Sequence, residues 1–128
     1  MRAILDTHAF LWFITNDPKL SSTARVLIAD PSNEILISPA SYWEIAIKIK
    51  LGKYPISVPY LTLITEGIDN NGFKILPIEP KHTAKLTTLD LHHHDPFDRL
   101  MAAQAMVEGI SMVSADVAFD LYSVHRIW

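Results

Sequence analysis

Short apolar runs suited to strands alternate with helical patterns along the whole chain, and two of those runs stop at an aspartate. This alternation predicts an α/β fold: three layers, α/β/α, around a central, mainly parallel sheet of about five strands. Roughly six or seven helices fit beside them. At 128 residues, with no repeat, low-complexity tract or linker, the chain reads as a single domain over residues 1–128.

Ala3-Ile4-Leu5 reads as a strand ending at Asp6, and Thr7 to Phe13 continues at once as a helix, which makes a βα unit. Asn16-Asp17-Pro18 breaks that helix, and Ser21-Ser22 starts another carrying Ala24, Val26, Leu27 and Ile28. After the turn Asp30-Pro31-Ser32-Asn33, Glu34 to Ile37 has the composition of a buried strand. Ser38 and Pro39 supply an N-cap and a first-turn proline for a helix from Ala40 to Leu51, stopped by Gly52. Lys53 to Pro59 is a connection. A helix from Pro59 to Asn70, a strand from Phe73 to Ile78 and a helix from Glu79-Pro80 to about Leu89 follow. The loop Asp90 to His94 then turns into a helix apolar on most sides, with Asp95 as N-cap, Pro96 first and Asp98 at N3. Gly109 closes it. Ile110 to Ser114 is a strand leading to Ala115-Asp116, with a short helix around Val117-Ala118-Phe119 and a last strand from Ser123 to Trp128.

Composition narrows the class of function. Apolar residues make up 49% and charged residues 20%, a globular profile. No apolar run reaches the ~18 residues of a membrane span, and Asp6 interrupts the N-terminus too early for a signal peptide. With no cysteine, disulfides and thiolate metal sites are excluded, and a cytoplasmic location is expected. The net charge of −3 argues against a module that merely coats nucleic acid, since phosphate neutralisation calls for a basic surface. It leaves room for an enzyme whose acids gather at one place.

Asp6 and Asp116 each follow a strand, so in a parallel sheet both project from the carboxyl edge, where such sheets bind ligands. Topology permits Asp98 and Glu44 to join them without requiring it. Each acid also has a plainer role: Asp6 as a helix cap, Glu44 as an i,i+4 partner of Lys48. Gathered bare, these carboxylates would raise one another's pKa; a hard divalent cation, Mg2+ or Mn2+, removes the conflict. Such a cation suits hydrolysis of a phosphodiester. His92, His93 and His94 read as a solvated loop, with His94 nearest the acids and a candidate phosphate contact. Arg99, Lys48 and Lys50 are further candidates for backbone phosphates. Trp12, Trp43 and Phe13 read as core or as a dimer interface. The rival from another class is a phosphoryl-transfer receiver or phosphatase-like domain using Asp6 as nucleophile, which needs a lysine at a strand end that the sequence does not offer. A third reading is a domain that binds RNA or protein without cutting.

Four blocks carry a resemblance: Ile4-Leu5-Asp6-Thr7-His8-Ala9-Phe10-Leu11-Trp12, Ser41-Tyr42-Trp43-Glu44-Ile45-Ala46-Ile47-Lys48, Asp95-Pro96-Phe97-Asp98-Arg99-Leu100 and Val113-Ser114-Ala115-Asp116. In order and spacing they resemble the signature blocks of the PIN domain, and within it the VapC-type ribonuclease toxins of prokaryotic toxin–antitoxin pairs. The resemblance implies a PIN-like fold and a Mg2+- or Mn2+-dependent endoribonuclease acting on RNA. Asp6, Glu44, Asp98 and Asp116 would then be both catalytic acids and metal ligands, with Thr7, Ser114, Arg99, Lys48 and His94 supporting the ligands or touching substrate. It also implies a homodimer and a cognate antitoxin that covers the site. The last block departs from the family pattern, in which Thr and Asn often precede the acid. Here Ser114 retains a hydroxyl to donate, whereas Ala115 has none.

Overall fold

A computed structural model describes residues 1–128. Five strands form one sheet: β1 (Arg2–Leu5), β2 (Glu34–Ile37), β3 (Lys74–Ile75), β4 (Ser111–Val113) and β5 (Arg126–Ile127). Their order is β3-β2-β1-β4-β5, and every pairing is parallel. The helices are α1 (Thr7–Ile14), α2 (Ser22–Ala29), α3 (Pro39–Lys50), α4 (Tyr60–Asp69), α5 (Pro80–Leu86) and α6 (Pro96–Glu108), with a 3-10 turn over Val117–Leu121. This is the three-layer α/β/α architecture expected. No helix is long and apolar enough to cross a membrane.

The period of two along each strand sorts the core into two halves. Ala3, Leu5, Ile35, Ile37 and Val113 face one layer, with Phe10, Ile28, Ile45 and Ile68 from α1 to α4 packed on them. Ile4, Leu36 and Met112 face the other, covered by Met101, Ala102 and Ala105 of α6 and by Phe119. The alanines let α6 lie close to the sheet.

Three elements are shorter than the sequence suggests. The strand expected over Phe73–Ile78 keeps ladder pairing only at Lys74–Ile75. Leu76 still donates to the Ile37 carbonyl at 2.9 Å, but Pro77 has no N–H with which to continue. The buried Gln104 amide of α6 takes over the Leu76 and Pro77 carbonyls at 3.2 and 3.4 Å. α5 ends at Leu86 rather than Leu89 because Thr87, Thr88 and Leu89 bond back three residues, tightening the last turn. The final strand, expected from Ser123, pairs only at Arg126–Ile127. Trp43 lies outside the core, 59% exposed and edge-on to Phe97 at 5.0 Å. Trp12 and Phe13 pack against the core, on Trp128 and Phe73 respectively.

The strand order places the topological switch between β1 and β4: the chain proceeds from β1 outward to β3, then returns to the opposite side of β1. A crevice opens at the carboxyl ends of the two strands that diverge there. Leu5 pairs with Val113, so Asp6 and Asp116 stand at the lips of that crevice.

Candidate metal centre

Asp6 leaves β1 and caps α1. Its Oδ1 accepts from the Ala9 N–H at 2.8 Å, and its Oδ2 accepts from the Ser114 hydroxyl at 2.5 Å. Both plain and functional readings of Asp6 therefore describe one residue, a cap buried at the crevice. Ser114 in turn accepts from the Asp116 N–H at 3.0 Å, so one hydroxyl ties the ends of β1 and β4 together. The hydroxyl that Ser114 retains is donated to Asp6, and Asp116 meets it only through its own N–H. Burial raises the Asp6 carboxyl above its ordinary pKa, against the pull of the Ser114 and Ala9 bonds.

Glu44 projects from the second turn of α3 and is buried. Thr7 donates to Oε1 at 2.6 Å, and Lys48 Nζ stands 3.7 Å from Oε2. The i,i+4 partnership exists, yet it does not carry Glu44 away from the crevice. Asp95 caps α6 through the Phe97 and Asp98 N–H groups at 2.8 and 3.3 Å. Carboxylate oxygens of Glu44, Asp95 and Asp98 lie within 4.8 Å of one another. Asp98 has no cation of its own. Desolvation, then the charges of Asp95, Glu44, Asp6 and Asp116, push its pKa up to about 8.

Asp116 completes the ring. Its Oδ1 accepts from the Ala118 N–H at 2.9 Å and its Oδ2 lies 2.7 Å from His93 Nε2. Burial alone would raise it; these bonds, with the charge of Arg126, hold it below the ordinary carboxylate range. His93 Nε2 also reaches Asp98 Oδ2 at 3.2 Å, which makes His93, Asp98 and Asp116 a second group within 4.8 Å. The Asp95 N–H donates to His93 Nδ1 at 3.2 Å, so the neutral ring carries its proton on Nε2, facing the acids.

The histidine loop thus corrects the sequence reading. His93, only 15% exposed, is the residue at the acids, whereas His94 is exposed. Three identical neighbours conceal which one turns inward, and the only local signal is that His93 stands two residues before the α6 cap. Arg99 points back to the His93 carbonyl at 3.5 Å rather than to the acids, and Lys50 is exposed.

The crevice thus holds Asp6, Glu44, Asp95, Asp98 and Asp116 against one nearby lysine, Lys48. A donor set of oxygens without sulfur, overloaded with negative charge, suits a hard divalent cation. A different cluster offers the counter-case. Glu79, His82 and Glu108 also lie within 4.8 Å of one another, but His82 Nδ1 accepts from the Glu79 N–H at 3.0 Å and Nε2 meets Glu108 at 3.2 Å. Lys81 adds a cation 3.1 Å from Glu108. That group is satisfied without an ion and joins α5 to α6.

Fold and crevice together define a parallel α/β domain with a cation-seeking acidic site at its topological switch. The model of the PIN domain matches residues 3–124, and the chain belongs to that family. Ribonuclease VapC16 of Mycobacterium tuberculosis is 37% identical over 71 residues, covering 52% of this chain and 50% of that protein. The match spans about half the length of this curated relative. Among solved structures, VapBC2 from Rickettsia felis, bound to a DNA fragment from its promoter, superposes with a TM-score of 0.74 at 17% identity, over 100% of this chain and 99% of that one. VapBC-5 from M. tuberculosis, a member of the VapBC family of toxin–antitoxin systems, gives 0.64 at 15% identity, over 98% and 97%. At such identities the likeness is one of fold.

Proposed function

We propose that this chain is a divalent-metal-dependent endoribonuclease that hydrolyses RNA phosphodiester bonds, as the toxin of a toxin–antitoxin pair. The observation that carries this reading is the convergence of Asp6, Glu44, Asp98 and Asp116, with the Asp98 carboxyl pushed up to about 8 by neighbours of like charge. Family membership supports it, as does the ribonuclease relative. The four acids are the proposed catalytic residues and the proposed ligands of Mg2+ or Mn2+. Bound there, the cation supplies Lewis acidity toward a water and toward the scissile phosphate. Ser114 and the Ala9 N–H hold Asp6, Thr7 fixes the Glu44 rotamer, and Asp95 positions Asp98 by capping α6. His93 presents an N–H donor between Asp98 and Asp116. Lys48 at the rim can meet a backbone phosphate; Arg99, in the first turn of α6 and turned to the His93 carbonyl, needs a new rotamer to do so, and His94 a shift of its loop.

The reading includes a cytoplasmic homodimer, with exposed Trp43 beside Phe97 as a candidate contact, and a cognate antitoxin covering the crevice. Incubating the purified chain with RNA in Mg2+ or Mn2+ tests the chemistry. Shortened products that vanish with chelator, and in Asp6→Asn or Asp98→Asn, are expected. RNA retained but never cut would leave a binding domain, and phosphate labelling of Asp6 by a small phosphodonor would leave the receiver reading.

A further inference from the structure

Of the four acids, Asp116 has the least support from its own surroundings. Asp6 and Glu44 are buried, whereas the Asp116 side chain is 43% open to solvent, and Ala115 beside it has no side-chain donor to give. The Ala118 N–H takes Oδ1 at 2.9 Å. Arg126 lends only its charge, because its guanidinium is bonded to both Asp120 oxygens and to the Ser114 carbonyl. Oδ2 is left to His93, whose Nε2 lies 2.7 Å from it and 3.2 Å from Asp98 Oδ2.

His93 is held on every other side. Its N–H donates to the Tyr122 hydroxyl at 3.0 Å, and its carbonyl receives Arg99 Nη1 at 3.5 Å. The ring lies tilted over Phe119 with centroids 5.5 Å apart, and Nδ1 accepts from the Asp95 N–H at 3.2 Å. Phe119 and Tyr122 are buried, in and just after the 3-10 turn that Asp116 caps; Asp95 and Arg99 belong to the start of α6, which carries Asp98. One imidazole is thus clamped to both elements whose acids it meets. The clamp decides what Nε2 can do. To ligate a cation it must offer a lone pair, with its proton moved to Nδ1. The Asp95 N–H already points at Nδ1, and two hydrogens cannot face one another there. Nε2 therefore keeps its hydrogen and serves the acids as a donor, although its distances would suit a ligand. Such a bond fixes the rotamer of a carboxylate before the cation arrives, so binding loses less side-chain freedom.

We infer that His93 is a positioning residue of the metal centre: its Nε2–H holds Asp116 in the orientation in which it and Asp98 share one cation, and His93 is not itself a ligand. This rests on the metal-dependent reading of the crevice and adds to it the residue that prepares the ligands.

The test is Mn2+ binding to the full chain without RNA, followed by calorimetric titration and by electron spin echo spectroscopy. His93→Asn sets an amide oxygen where Nδ1 stands and keeps a partner for the Asp95 N–H, but its amide stops short of Asp116. His93→Gln is long enough to carry an N–H to Asp116 Oδ2. Neither retains the ring over Phe119, so a purely structural role would affect the two variants alike. His93→Asn should weaken Mn2+ binding by roughly ten- to a hundredfold, and His93→Gln should recover most of that loss. In the unsubstituted chain the spin echo should show no nitrogen coordinated to Mn2+. Equal Mn2+ affinities for the Asn and Gln variants overturn the inference. So does a coordinated-nitrogen coupling in the unsubstituted chain that vanishes in His93→Gln, which would make His93 a ligand. An unsubstituted chain that takes up no Mn2+ at all defeats the metal-dependent reading, and the role of His93 with it, a result distinct from either of the others.

Discussion

Two clusters in this molecule contain the same ingredients, a histidine between carboxylates within 4.8 Å, and they behave in opposite ways. Around His82 every charge has an answer: Lys81 and the imidazole both face Glu108, and they hold its carboxyl below the ordinary pKa. Around His93 the acids outnumber the cations, and Asp98 is pushed up to about 8. The difference lies in the neighbours rather than in the residue types. A balanced cluster serves as a joint between helices. An unbalanced one, at the switch point of a parallel sheet, stores an attraction for a cation.

The contrast is most sharply tested by Asp98→Asn. RNA cleavage should fall by roughly a hundredfold or more, at least the loss seen when groups supporting a metal ligand are removed, while the metal-free protein becomes more stable at pH 8. His82→Ala should do the reverse. It is expected to lower stability by about 2–3 kcal/mol, through a lost buried side chain and an unpaired Glu79 N–H, and to leave the Mg2+-induced rise in Tm intact.

Opposite pH dependences should follow. The folded pKa of Asp98, about 8, lies above its unfolded value near 3.8. Between these values the native state binds more protons than the unfolded one, so stability from this group is complete at low pH and declines as pH rises to about 8. Glu108 is lowered, so its contribution is present above the unfolded value and is lost as pH falls through the folded one. Thermal melts of metal-free protein across pH, compared with Asp98→Asn and Glu108→Gln, should remove one slope each. Saturating Mg2+ should flatten the Asp98 slope alone. Smallest is Ser114→Ala, which frees Asp6 Oδ2: about 1–2 kcal/mol of stability and about tenfold in activity, with no effect on the His82 cluster. If Ser114→Ala and His82→Ala prove indistinguishable in cation titrations, the division between the clusters fails.

The sequence carried the architecture because the determinants were local. Ser38-Pro39 and Asp95-Pro96 mark helix starts by capping chemistry, Gly109 marks an end with φ 65°, and β1, β2 and β4 are bounded apolar runs. Asp6 and Asp116 were legible for the same reason, since each follows a strand. Glu44 and Asp98 were not fixed by local signals: their approach depends on how α3 and α6 pack across the sheet, and sequence spacing is silent on that. His93 escaped because its inward turn depends on the Asp95 N–H and on Tyr122, whose hydroxyl accepts from the His93 N–H at 3.0 Å from 29 residues away. β3 shrank because Pro77 withholds a donor and Gln104, a distant side chain, takes over the carbonyls.

The pairing of Leu5 with Val113 has an engineering consequence. Because backbone ladders, rather than flexible side chains, set the separation of Asp6 and Asp116, neither strand tolerates the gain or loss of a single residue. The exposed turn at Asp90 and Leu91 carries no such constraint, and it is where foreign sequence could be grafted while the acids keep their mutual spacing.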